Sequence, residues 1–160
     1  MKFIKQLFLV LGLTFLTSCG FSPMLKDVNL NDIKINRVEY TGDKDLIFYL
    51  KNNLQFNVDQ KSKLGYIIKI NTSKNISSVT KDTAGATTEE QITVNINLKV
   101  LNSKDEEIGS DSINGSRVVS VTNDFTQDTE TNRIETSNII ASLSKDLTFS
   151  IRSKIIQDIK

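Results

Sequence analysis

Histidine and tryptophan are absent from the 160 residues, and cysteine and proline occur once each, as Cys19 and Pro23. Each scarcity removes a class of function. Without histidine, the commonest general base and the commonest metal ligand are missing. A single cysteine allows no disulfide within the chain. No serine stands in the Gly-x-Ser-x-Gly frame that would expose a nucleophile. The dense acidic run Asp105-Glu106-Glu107 reads as a solvated hairpin turn rather than the carboxylate pair of a hydrolase. No enzyme, cofactor or metal site is therefore expected. A net charge of +1 with no basic field argues against a nucleic-acid partner.

The lone cysteine has an informative setting. Lys2 and Lys5 precede an apolar run from Leu7 to Leu16, and the small residues Thr17 and Ser18 lead into Cys19. This is the build of a secretory signal peptide over residues 1–18. The run is about half the roughly 20 residues a bilayer span needs, so a permanent transmembrane helix is not expected. Leu16-Thr17-Ser18-Cys19 resembles the lipobox of bacterial lipoproteins, in which the cysteine is acylated and becomes the mature N-terminus. One acyl chain holds only weakly, at about 0.8 kcal/mol per buried methylene, so stable anchoring takes more than one. The resemblance implies a triacylated Cys19. Gly20, where retained lipoproteins carry Asp, favours the outer membrane.

Residues 19–31 read as a lipidated leader and residues 32–160 as one domain. Removing residues 1–18 takes away two of the 20 basic residues and none of the acidic ones, so the remaining chain is close to neutral. Residues 33–40 alternate as a strand, with Ile33, Ile35 and Arg37 on one face. Asp43 can cap a helix that carries Leu46, Leu50 and Leu54 in a stripe to about Gln55. A second strand runs from Tyr66 to Asn71. Residues 75–90 are polar and read as a long hairpin connection, with extended arms as an option. Ile92, Val94, Ile96, Leu98 and Val100 form the cleanest alternation, a strand buried on one face only. A turn at residues 102–105 leads to a fourth strand over residues 107–121, with a break expected near Gly115. Residues 122–131 read as a loop and cap region. A last helix from about Thr131 carries Leu143, Leu147, Ile151, Ile155 and Ile159 at spacings of four.

The order is β-α-β-β-β-α. The expected fold is α+β, a two-layer sandwich in which a four-stranded, mostly antiparallel sheet carries both helices on one face. The other face, rich in Asn, Thr and Lys, is left for water or for a partner.

Cys19-Gly20-Phe21-Ser22-Pro23-Met24-Leu25 resembles the start of the LPS-assembly lipoprotein family LptE, above all its alphaproteobacterial branch. Leu25 departs from it where the family has an aromatic. The element order, the Glu90–Val100 strand and Phe125 before a long C-terminal helix continue the resemblance. It implies a non-enzymatic subunit that plugs an LptD-like outer-membrane β-barrel, assists its assembly and binds lipopolysaccharide in transit to the cell surface. The family pattern places one basic residue in the connection after the second strand, where Lys81 falls. It places another in the loop before the last helix. That loop has no lysine here, and Arg133 is the nearest cation. Lys99, Lys104 and Arg117 are the further candidates for lipid phosphates. Phe125 reads as a core or cap contact ahead of a barrel contact. An unrelated outer-membrane lipoprotein, acting as a periplasmic binding or scaffolding module, is the alternative.

Overall fold

The computed structural model describes residues 34–59 and 65–159; the expectations for the signal segment, Cys19, the leader and Ile33 lie outside them. Its elements are β1 (Ile35–Gly42), α1 (Lys44–Asn53), β2 (Tyr66–Lys81), β3 (Thr87–Leu101), β4 (Glu107–Ser120) and α2 (Phe125–Ile159). The strands form one sheet in the order β1-β2-β3-β4. β2 with β3 and β3 with β4 are antiparallel hairpins, but β1 runs parallel to β2. The α+β layout is the one expected. The sheet is mixed, because α1 carries the chain back between β1 and β2, and such a crossover returns the next strand in the same direction.

The core follows the alternation. Ile68 and Ile70 of β2, with Ile92, Val94, Ile96, Leu98 and Val100 of β3, are buried in one cluster with Leu46 and Leu50 of α1 and Leu143, Leu147, Ile151 and Ile155 of α2. Both helices thus cover the same face. α2 has 35 residues and spans about 52 Å at ~1.5 Å per residue. β3 has 15 residues and spans about 50 Å at ~3.3 Å per residue. The helix therefore runs the length of the sheet. Two of its buried hydroxyls are satisfied within the helix: Thr136 Oγ1 donates to the Asn132 carbonyl at 2.6 Å and Ser144 Oγ to that of Ile140 at 2.7 Å. Such back-bonding allows a helix to bend around a sheet.

Four expectations are corrected. Arg37 faces outward while Ile35 is buried and Val38 and Tyr40 pack on the core. The register shifts between Ile35 and Arg37, so Asn36 is an extra residue that reverses the parity of β1. Gly65 makes room for this bulge, since a Cβ there would lie 2.9 Å from both Asn36 Cβ and N. Second, α2 begins at Phe125 rather than near Thr131. Asp124 Oδ1 accepts from the Thr126 and Gln127 amides at 2.9 and 3.1 Å, and Asp128 Oδ1 accepts from the Thr122 amide at 2.8 Å. The polar run read as a loop and cap holds its cap at Asp124, and the helix's first turns follow directly. Third, β4 continues through Gly115. A Cβ at Gly115 would meet Ile139 Cγ2 at 3.1 Å and Leu143 Cδ2 at 3.2 Å, so the glycine brings α2 close to the strand instead of breaking it. Fourth, Ile159 is 60% exposed and Ile156 is buried. Each step of four drifts about 40° around a helix, and past Ile155 the stripe has left the sheet.

The hairpin connection takes the form with extended arms. β2 runs on to Lys81 and β3 starts at Thr87, so residues 75–90 are an extended arm around a short turn. In that turn Asp82 Oδ1 accepts from the Ala84 and Ala86 amides, both at 2.9 Å, and Gly85 takes φ +84°. The β3–β4 turn is built the same way. Asn102 Oδ1 accepts from the Lys104 and Glu106 amides at 2.9 and 3.1 Å, with Asp105 at φ +61°. An Asx residue opens both turns and a left-handed residue sits three positions on.

Candidate functional site

Side chains alternate across a strand, so the residues between the core positions share the sheet's other face. Registration puts Thr41, Asn71, Asn97 and Ser112 in one row across all four strands. The next rows are Ser73, Asn95 and Asn114, then Asn75, Thr93 and Ser116. These groups are all uncharged, and all are exposed or half-exposed. Asn71 Nδ2 donates to Thr41 Oγ1 at 2.9 Å. Asn95, Asn97 and Asn114 make no side-chain hydrogen bond among the described residues, so their amides are available to a partner. Charge returns at the end nearer the β3–β4 turn. There Arg37 Nε lies 2.8 Å and Lys69 Nζ 3.6 Å from Glu39, and Lys99 Nζ lies 3.0 Å from Glu107. Below that ladder the register partners Ile67 and Leu101 are buried outside the main cluster.

The five expected cations do not converge. Lys81 ends β2 at the arm tip and Lys104 lies in the turn at the other end of β3, roughly 45 Å away at ~3.3 Å per residue. Neither has an ion pair among the described residues. Lys99 is held by Glu107 on the open face. Its hydrogen bond is the main cause holding the Glu107 carboxyl below its usual range. Arg117 lies on the helix-covered side, with Nη1 3.2 Å from Glu135 Oε2. That oxygen is buried and takes no hydrogen bond, so its charge is met by proximity alone. Arg133 forks onto Glu130 at 2.8 and 2.6 Å. This pairing raises the guanidinium pKa and lowers that of the carboxyl. Cys19 lies outside the described residues. Phe125 is 86% exposed at the start of α2, so it is neither a core nor a packed cap residue: the Asp124 side chain does the capping.

A cavity of about 330 Å³ opens between α1, β2 and the first turns of α2. Asp45, Tyr49, Lys74, Ile76, Thr129, Asn132, Arg133 and Thr136 line it. Asn132 Oδ1 is buried there without a hydrogen-bond donor. Lys74 and Asn132 were not singled out from the sequence. Continuing the β2 alternation past Asn71 would have pointed to Lys74, but no local signal marks Asn132. Among the described residues there is no cluster of acidic, histidine or cysteine side chains suited to a metal ion. No helix among them is long and apolar enough to cross a membrane.

No family model matches this chain, and no curated protein matches it by sequence. Solved structures do share its fold. The rare lipoprotein B of Shewanella oneidensis superposes with a TM-score of 0.60 at 11% identity, covering 78% of this chain and 100% of that one. A minor lipoprotein of Acinetobacter baumannii gives 0.56 at 11% identity, with 76% and 93% covered. An uncharacterized lipoprotein B of Nitrosomonas europaea gives 0.50 at 14% identity, with 71% and 81% covered. At these identities the likeness establishes a shared fold: a four-stranded mixed sheet with two helices, found in structures named as bacterial lipoproteins.

Proposed function

We propose that this protein is an outer-membrane lipoprotein, anchored through Cys19, that sits as a non-enzymatic plug in an LptD-like β-barrel and assists lipopolysaccharide insertion at the cell surface. The observation that carries the reading is the uncharged centre of the sheet's open face, with its rows of Asn, Ser and Thr around Asn95 and Asn97. The lumen of a large barrel is polar. A subunit lodged in it must hydrogen-bond with that wall without burying unpaired charge, which costs far more than burying an amide. Amides and hydroxyls both donate and accept, so such a face fits a polar wall. The Cys19–Leu25 motif and the fold shared with structures named as lipoproteins support the same reading. Lys81, at the arm tip and without an ion pair among the described residues, is the cation placed to meet a lipid phosphate.

The test is a mild-detergent pull-down of tagged, lipidated protein from outer membranes. A large β-barrel protein should co-purify in stoichiometric amount. Lys81→Glu should leave that complex intact while lowering the lipopolysaccharide that co-purifies with it. If the protein elutes alone while a control barrel complex survives, the plug reading fails and the scaffolding lipoprotein becomes the better account.

A further inference from the structure

We infer that the edge of β2 beyond β1, from Ser73 to Ser78, is a strand-addition site for an extended segment of the partner polypeptide. One side chain of that segment enters the cavity beneath. The inference rests on the barrel-partner reading.

The β1–β2 ladder ends at the pair Gly42–Thr72. Gly42 turns the chain out with φ +103°, and a Cβ there would lie 1.9 Å from the Thr72 carbonyl oxygen. The chain then leaves into α1, while β2 continues to Lys81 with only β3 beside it. The Asp43 amide donates to the Thr72 carbonyl at 3.1 Å, which shows that the Thr72 backbone points toward the β1 side. A residue's N–H and C=O point to the same side of a strand, and that side alternates along it. The groups of Lys74, Ile76 and Ser78 therefore face the vacated edge, while those of Ser73, Asn75 and Ser77 face β3. The result is a coaxial extension of the β1 slot, with backbone donors and acceptors that no described residue meets.

The side chains at this edge point the same way. Lys74 and Ile76 lie on the helix side and line the 330 Å³ cavity with Asn132. Ile76 is 40% and Val79 52% exposed. Lys74 has no ion pair among the described residues, and the buried Asn132 Oδ1 has no donor. An incoming side chain that both donates and accepts, the carboxamide of Asn or Gln, answers both groups at once.

The opposite edge of the sheet makes the contrast. β4 aims Asp111 and Arg117 inward toward α2, where they meet Ser150 and Glu135. Inward charges are a recognised defence of an edge against added strands. The β2 edge carries no proline, and its one inward charge, Lys74, stands beside an unfilled cavity. Strand addition draws its affinity from backbone hydrogen bonds and its specificity from side-chain pockets. This edge has both.

The experiment is residue-resolved amide hydrogen exchange on the full-length lipidated protein, free in detergent and in the purified barrel complex. Strand addition slows exchange at Lys74, Ile76 and Ser78 by about tenfold or more in the complex, because those amides become hydrogen-bonded. Ser73, Asn75 and Ser77, already bonded to β3, change little. Ser78→Pro removes an outward donor at an edge position that tolerates proline; it should weaken the complex while far-UV circular dichroism stays unchanged. Co-purification of the barrel with Lys74, Ile76 and Ser78 exchanging as fast as in the free protein overturns the inference and leaves the plug reading standing. Failure of any barrel to co-purify sinks both. The alternating protection appearing in the free protein as its concentration rises would assign the edge to a second copy instead, which also overturns the inference.

Discussion

Ile96 and Asn97 are neighbours in β3, yet they lie in different physical worlds. Ile96 is fully buried under the helices, and Asn97 stands exposed in the middle of the other face. The same holds along the sheet. One face is Ile, Leu and Val sealed by α1 and α2, and the other is a field of amides and hydroxyls. Burial of apolar area at about 25 cal/mol per Å² drives folding, so the first face must be conserved in volume and shape for the chain to fold at all. The second face is relieved of that duty. Its composition is free to answer a partner, and the absence of charge across its centre suits a surface that is to be desolvated.

The sharpest way to break this comparison is to truncate both neighbours. Ile96→Ala should cost about 2–5 kcal/mol in urea unfolding, whereas Asn97→Ala should stay within ~0.5 kcal/mol. A comparable loss at Asn97 would mean that the open face also serves the fold. The next test adds charge to the face. Asn95→Lys with Asn97→Lys should leave the unfolding midpoint within a few degrees of wild type but sharply reduce the barrel recovered in the pull-down. That outcome separates folding from docking, since a lysine pair in a desolvated contact has no counter-charge to meet.

Smaller effects probe how the helix layer is held. Asp124→Ala removes the α2 cap and should cost about 1 kcal/mol, read from the same unfolding curves. The smallest concerns the charged exceptions on the covered side. Ser150 Oγ donates to Asp111 Oδ2 at 2.6 Å, the main cause holding that carboxyl below its ordinary value of 3.8. A depressed carboxyl contributes stability that is present above that ordinary value and is lost as pH falls through the lower folded value. Ser150→Ala should therefore lower stability at pH 7 by less than about 1 kcal/mol, since the group is largely solvent-facing. The gap to wild type should narrow as pH falls below that ordinary value and through the lower folded one. A gap that persists once the carboxyl is protonated would assign the loss to packing instead.

Several elements were legible in the sequence because a side-chain pattern announced them. β3 shows strict alternation, and the α1 stripe of Leu46, Leu50 and Leu54 is buried as expected. The arm was legible only as one option, because Asn75 to Glu90 carries no apolar alternation and is held by backbone pairing between β2 and β3. The β1 parity was misread because a bulge at Asn36 has no signature of its own; it depends on Gly65, distant in sequence. The start of α2 was hidden since its first turn is polar and exposed, and only the Asp124 and Asp128 bonds reveal it. For the site, the polarity of the open face was foreseen. The scatter of Lys81, Lys99, Lys104, Arg117 and Arg133 was not, because it follows from strand length and from which face each position takes.

The sequence by itself determined the two-layer α+β design and which side of β3 meets the helices. Side chains repeat every two residues in a strand and about every 3.6 in a helix, so local order dictates which residues are buried. It also determined the polar character of the free face and the motif around Cys19. Tertiary structure alone decided that β1 lies parallel to β2, that Asn36 shifts its register, that β2 outruns β1 and leaves an open edge, and that Lys74 and Asn132 meet across a cavity. These features come from backbone pairing and from contacts between residues far apart in the chain, and neither leaves a periodic trace in the sequence.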